Sequence, residues 1–299
     1  MALEPNIPYV LAVDVGNTHI TMGAVRGDQV YLTQKVSVAE PQRWAEALNE
    51  LWDATEAPRR VVASSVNPQA LEKFEAAIAD VLDQTVAVIG RDLPLPLETT
   101  LKEPTRVGVD RLCCALGAYQ RLHQACVIAD FGTAITIDCV NAEGQFVGGA
   151  ILPGMKMQAS ALHNGTAQLP EVELENPDWV FGRNTQEAIV GGIVFGVRGA
   201  MRAIVESYAS ELGTWPVVIT TGGDAELVGR DDGIVQAIVP DLCVLGVALT
   251  YYKSLPPVDN VQLASEAEMD GDEDDAFDAD EDANEDAPFD ADEDANEDE

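Results

Sequence analysis

The sequence predicts an α/β protein of two similar lobes followed by a tail of a different character. Short apolar runs of strand length alternate with segments of helical spacing. A strand-turn-strand unit opening at Asp14 returns at Asp130, an internal echo that points to two related halves. The end of the 299-residue chain then turns abruptly acidic. The expected division is residues 1–118 for the first lobe, 119–256 for the second and 257–299 for the tail.

Tyr9–Val15 is a short apolar run that ends at Gly16-Asn17-Thr18. Ile20–Val25 resumes an extended pattern and Gln29–Val36 alternates like a third strand, so Asp14-Val15-Gly16-Asn17 reads as a turn between antiparallel strands. Pro41–Asp53 and Pro68–Leu82 have helical spacing, with Val61–Val66 and Val86–Ile89 as strands beside them. The proline-rich Leu93–Pro104 reads as a loop, and Gly108–Leu122 as a helix. The second cycle begins with the apolar strand Ala125–Asp130, the turn Phe131-Gly132-Thr133, and strands at Ala134–Val140 and Gln145–Ile151. Helices are expected at Pro153–His163 and Thr185–Leu212. Val217–Thr221 is a buried strand ending in Gly222-Gly223-Asp224, and Asp241–Ser254 is a last helix.

The charge balance is 17 − 52 = −35, and 20 of the acids fall between Ala264 and Glu299, where no basic residue occurs. Phe277–Asp286 reads FDADEDANED and is repeated letter for letter at Phe289–Asp298. Such a segment cannot bury enough apolar surface to offset its ordering entropy, so a disordered, solvated tail is expected. So negative a chain argues against a nucleic-acid partner, whose phosphates attract Lys and Arg. The apolar stretches, such as Gly191–Val197, meet charges well short of the ~20 residues a bilayer requires, so no membrane span is expected. Met1–Pro8 lacks a basic segment, so no secretory signal is expected. Five cysteines without a Cys-x-x-Cys, and three histidines, suit neither a disulfide framework nor a zinc site. A reducing, cytoplasmic setting follows as an expectation.

There is no Gly-Lys pair for a phosphate loop and no Gly-x-Gly for a dinucleotide fingerprint or a protein-kinase loop. What remains is Asp14-Val15-Gly16-Asn17-Thr18 and Asp130-Phe131-Gly132-Thr133-Ala134, each with an Asp at a strand end and small residues after it. Backbone amides converging at such a bend can cradle a polyphosphate, and the Asp can hold hydrated magnesium. One such turn alone is ordinary, because Asp, Gly, Asn and Thr are common turn residues. Two, in separate lobes and each between strands, point to a shared phosphate site.

These turns resemble phosphate 1 and phosphate 2 of the acetate and sugar kinase, heat-shock chaperone and actin superfamily, and the sequence most resembles the type III pantothenate kinases within it. Gly108-Val109-Asp110-Arg111 is similar to that family's Gly-x-Asp-Arg motif, and Gly148-Gly149-Ala150-Ile151-Leu152-Pro153-Gly154 to its Gly-Gly-x-x-x-Pro-Gly turn. Asn184-Thr185, Thr221-Gly222-Gly223-Asp224-Ala225 and Pro240-Asp241-Leu242 follow in family order, so the likeness runs from about Val10 to Tyr252. Leu101 and Glu103 depart from it, standing where the family commonly has Tyr and Asn.

The resemblance implies two ribonuclease H-like lobes with a nucleotide cleft between them, and ATP-dependent phosphorylation of the 4'-hydroxyl of pantothenate, the first step of coenzyme A biosynthesis. It implies Asp110 as the catalytic base and Gly108, Val109, Asp110, Arg111 and Thr185 as the pantothenate site. For ATP it implies Asp14, Val15, Gly16, Asn17, Thr18, His19, Ile20, Thr21 and Thr133. Asp14 would hold magnesium through water, and Asp130 a monovalent cation, potassium or ammonium. Asp138 is read as structural. The resemblance also implies a homodimer, for which the glycine-studded helix Ala188–Val205 is suited. The rival readings are a transcription accessory factor of the same fold without enzymatic activity and, ranked last, a chaperone-like ATPase.

Overall fold

The structure, a computed structural model, describes residues 7–230 and 232–256, so the tail expected at 257–299 lies outside the described residues. Two five-stranded sheets are built to one plan. In the first, β1 (Tyr9–Val15), β2 (His19–Arg26), β3 (Gln29–Ser37), β4 (Arg59–Ser65) and β5 (Val86–Val88) lie in the order β3-β2-β1-β4-β5. In the second, β6 (Cys126–Phe131), β7 (Ala134–Val140), β8 (Phe146–Pro153), β9 (Val217–Thr221) and β10 (Ala237–Ile238) lie in the order β10-β9-β6-β7-β8. β1 pairs antiparallel with β2 and parallel with β4; β6 does the same with β7 and β9. The echo between Asp14 and Asp130 is therefore a repeat of topology.

Side-chain alternation sorts each sheet into two faces. On β1, Leu11, Val13 and Val15 join the core formed with α1 (Trp44–Asp53) and α2 (Pro68–Leu82). Val10 and Ala12 point the other way, against α3 (Val109–Leu122) and α7 (Leu242–Ser254). On β6, Val127, Ala129 and Phe131 join the core formed with α4 (Met155–Gly165) and α5 (Thr185–Leu212), whereas Cys126 and Ile128 meet α3. α6 (Ala225–Gly229) closes the lower edge of that second core.

Local signals account for the helix ends. Asn67 caps α2 by accepting from the Ala70 N–H at 3.1 Å, Pro68 pre-sets its first turn, and Ala70, Phe74, Ile78 and Leu82 make its buried stripe. Asn184 caps α5 in the same way, accepting from Glu187 N–H at 2.9 Å, while Glu187 Oε2 accepts from Arg183 N–H at 2.7 Å. α5 ends at Gly213 in the left-handed region.

The helix expected from Pro153 begins later, because β8 runs through Pro153 and α4 starts at Met155. Pro153 pairs with Ala134 at the sheet edge, where a missing N–H costs no ladder bond. The two-residue β10 and five-residue α6 carry too little pattern to be read from sequence. The expectation that no segment is long and apolar enough for a bilayer is corrected by α5. Its 28 residues pass that test by length and composition, though Ile189, Ile193, Val197, Met201 and Val205 bury one stripe in the second core.

α3 passes through the expected lobe boundary at 118/119 and lies between the sheets, with Cys113 in the cluster on the first sheet and Cys114, Ala115 and Ala118 in that on the second. α7, last in the described chain, returns to the first sheet, with Val244, Leu245, Val247 and Ala248 against Val10, Ala12 and Val62. The two helices cross at glycines. A Cβ on Gly117 would stand 2.9 Å from the Leu242 carbonyl oxygen, and one on Gly246 would overlap the Cys113 carbonyl. Gly246→Ala is expected to force the helices apart, at the ~1–3 kcal/mol typical of overpacked cores. Thermal unfolding should show a Tm lowered by roughly 3–10 °C; a Tm within a degree of wild type would mean that the crossing is slack.

Candidate active site

The alternation that sorts the core also places the polar groups. Continuing the sequence Val10, Ala12, the next residue on the inner face of β1 is Asp14; continuing Cys126, Ile128 on β6, it is Asp130. Both carboxylates thus point toward α3, whose first turn carries Asp110. Asp110 Oδ1 accepts from the Arg111 N–H at 2.8 Å, which fixes it at the positive end of that helix. The three acids interact electrostatically: Asp14 feels Asp110, and Asp130 feels Asp14, Asp110 and Asp138. Burial, reinforced by that repulsion, pushes Asp14 up to about 6 and Asp130 up to about 7. Burial also raises Asp110, against the pull of the amide it accepts from.

The turns that follow the two strands face each other. Gly16 N–H closes the first turn on the His19 carbonyl at 3.0 Å and Gly132 N–H closes the second on Ala134 at 3.1 Å. Thr18 and Thr133 meet across the lobes, Oγ1 to Oγ1, at 3.1 Å. Asn17, Thr18, His19 and Thr133 are exposed; Val15 and Ile20 are core residues that pair across the hairpin, with half-buried Thr21 one step further on. Gly222, after β9, has φ 92°, and a Cβ there would collide with Asp130 Oδ1. Only glycine allows that close approach.

Several participants escape a reading from sequence. Ser64, on the inner face of β4, donates its hydroxyl to Asp14 Oδ1 at 2.8 Å, and the Cys243 thiol at the start of α7 donates to the Asp110 carbonyl oxygen at 3.8 Å. Asp138, read from the sequence as structural, is buried and holds Arg111 through Nε and Nη2. Arg111 Nη1 is left without a hydrogen bond among the described residues, and the guanidinium lies 5.7 Å from the Phe146 ring centre. Asp138 sits on the inner face of β7, opposite Ile128 in the β6–β7 register. Leu101 packs with the core around Phe146, and Glu103 pairs with Arg106 at 2.8 Å.

Thr185 is exposed in the first turn of α5 and takes no part in the contacts that join the three aspartates. A concavity of about 520 Å³ lies next to it, bounded by Glu171–Glu175, Trp179, Asn184, Gln186, Glu187 and Val190. Among the described residues no three His, Cys, Asp or Glu side chains form a metal cage. Two half-buried, mutually repelling carboxylates nevertheless suit a cation that takes its other ligands from water and phosphate oxygens.

Together these features give two facing turns with a carboxylate at a helix start between them, an arrangement of the kind suited to phosphoryl transfer. Comparison with known proteins narrows the class. The type III pantothenate kinase family model matches residues 10–207. A type III pantothenate kinase from Syntrophotalea carbinolica is 31% identical over 255 residues, covering 82% of this chain and 99% of that one. Another, from Dehalococcoides mccartyi, is 32% identical over 249 residues, covering 81% and 95%. This chain belongs to the type III pantothenate kinase family. In the fold alone it is similar to a protein described as a Baf family transcriptional activator from Campylobacter jejuni (TM-score 0.53, 17% identity, 82% and 98% coverage). It is likewise similar to component A of the (R)-2-hydroxyglutaryl-CoA dehydratase of Acidaminococcus fermentans (TM-score 0.51, 15% identity, 82% and 98% coverage).

The raised carboxylates make stability depend on pH. In metal-free protein, Asp14 and Asp130 keep their protons up to about 6 and about 7, whereas an unfolded chain releases them near 3.8. Across that window the folded state binds more protons, so this contribution to stability is present at low pH and lost as pH rises through the folded values. Asp14→Asn removes one of the two groups. Its Tm should exceed that of wild type at about pH 8, with the gap closing toward about pH 4. A gap that stays constant across the range would contradict the burial of Asp14 as a costly charge.

Proposed function

We propose that the site transfers the terminal phosphoryl group of ATP to the 4'-hydroxyl of pantothenate, entering coenzyme A biosynthesis. The observation that carries this reading is the convergence of Asp14, Asp110 and Asp130 on one side of two facing turns, in a member of the pantothenate kinase family. Phosphoryl transfer needs positioning and charge neutralisation more than covalent chemistry. Asp110 accepts the proton of the pantothenate hydroxyl as its oxygen bonds to the γ-phosphorus and the bond to the ADP oxygen breaks. Its raised affinity for a proton suits a base working near neutral pH.

Asn17, Thr18 and Thr133 contact the phosphates from the two turns. Asp14 would hold the magnesium of ATP, which would supply charge neutralisation at the phosphate oxygens. Asp130 ligates potassium or ammonium. Arg111, aimed by Asp138, offers its remaining nitrogen to the pantothenate carboxylate. Gly108 and Val109 line the same pocket, and Thr185 contributes from the start of α5.

The chain forms a homodimer through α5, where Phe195 is 41% exposed and Gly192, Gly196 and Gly199 have open space above them. Five free thiols, four of them buried, accord with a reducing cytoplasm.

ATP consumption by the purified chain should require pantothenate, and Asp110→Asn should lower turnover at least ~100-fold with ATP affinity retained. ATP consumption indifferent to pantothenate would favour a different nucleotide-dependent role, and Asp110→Asn turnover within about threefold of wild type would remove Asp110 as the base. Wild-type activity should be higher in potassium or ammonium than in sodium, and Asp130→Ala should erase the difference. Equal wild-type rates in the three salts would count against a cation at Asp130.

A further inference from the structure

Lys35 lies on β3, outside every motif the sequence offered, yet the sheet aims it at the site. Asp14 stands opposite Thr21 in the β1–β2 register, and Thr21 stands opposite Lys35 in the β2–β3 register. Residues directly opposed across antiparallel strands share a face, so Asp14, Thr21 and Lys35 form one row on the inner side of the first sheet. The side chain then crosses to the other lobe, where its Nζ comes within 3.3 Å of the place a Cβ on Gly223 would occupy. Gly223 follows Gly222, the residue pressed against Asp130.

Lys35 therefore reaches from the first sheet to the Gly222-Gly223 loop of the second lobe, beside Asp130. It favours ionisation of both Asp14 and Asp130, and it opposes protonation of His19 on the first turn.

The charge of the site calls for such a group. Asp14, Asp110 and Asp130 are all acids, and a bound nucleotide adds a polyanion. Arg111 is held by buried Asp138 through Nε and Nη2, and its remaining nitrogen is assigned to the pantothenate carboxylate rather than to the nucleotide. Lys35 is exposed and forms no ion pair among the described residues, so its ammonium is available to a ligand entering between the turns. We propose that Lys35 is a substrate-contacting residue that binds the polyphosphate oxygens of the nucleotide and neutralises charge during transfer. This rests on the phosphotransferase reading above. The competing role is a latch that joins the lobes without touching the nucleotide.

The test compares wild type, Lys35→Ala and Lys35→Arg, using calorimetric binding of magnesium-ATP and of adenosine, steady-state turnover with pantothenate, and Tm. The expected result is ATP binding weakened at least ~10-fold by Lys35→Ala, with adenosine binding and Tm unchanged, because adenosine lacks the phosphates. Turnover at saturating substrate should fall by ~100-fold, the scale of one lost charge-stabilising donor. Lys35→Arg should remain within about fivefold of wild type, since a guanidinium also binds phosphate.

Equal weakening of ATP and adenosine binding, or ATP binding and turnover by Lys35→Ala within about threefold of wild type, would overturn the proposal. The underlying reading fails separately. If wild type does not phosphorylate pantothenate while ATP binding still depends selectively on Lys35, the phosphate contact stands and the assigned acceptor is wrong.

Discussion

The crossing of α3 and α7 is the contact on which the rest of the molecule depends. Gly246 against the Cys113 carbonyl and Gly117 against the Leu242 carbonyl let the two backbones approach as no larger residue would allow. That closeness lets one helix pair serve as the inner layer of both sheets. It also sets the first turns of the two helices side by side, with Asp110 on one and Cys243 on the other; the Cys243 thiol lies 3.8 Å from the Asp110 carbonyl oxygen. A helix pair that packs both cores thus also sets Asp110 close enough to Asp14 and Asp130 to act on their charges.

From that arrangement the site follows by alternation. A strand with one face in the outer core must turn its other residues toward α3, and on β1 and β6 the last of these is an aspartate. Bringing three carboxylates together in a half-buried space is costly, and the upward shifts of Asp14 and Asp130 express that cost. Such repulsion is of the kind a bound cation would relieve.

The parts legible in sequence were those with local signatures. The two Asp-x-Gly turns, the Asn184-Thr185 helix opening and the strand-length apolar runs all report on neighbouring residues, and they made the two repeated strand-turn-strand units legible. The parts that were not legible depend on residues far apart. That α7 returns to the first sheet is a matter of tertiary packing, because its apolar surface would suit either lobe. The pairing of Arg111 with Asp138 joins residues 27 positions apart, and Ser64 reaches Asp14 over 50. Lys35 was hidden for a related reason: the Gly27-Asp28 turn alone would set Gln34 opposite Thr21, and only the irregularity between Ala24 and Val25 shifts the pairing by one and brings Lys35 into the row of Asp14.

The central claim is that the two turns and the start of α3 converge on one transferring phosphoryl group. The most direct measurement is a crystal structure of the full chain with a non-hydrolysable ATP analogue, magnesium and pantothenate. The account predicts the polyphosphate between the turns at Gly16–Thr18 and Gly132–Thr133, with the pantothenate hydroxyl about 2.6–3.2 Å from the Asp110 carboxylate. A nucleotide bound away from both turns, or a hydroxyl beyond hydrogen-bonding reach of Asp110 even through one water, would contradict it.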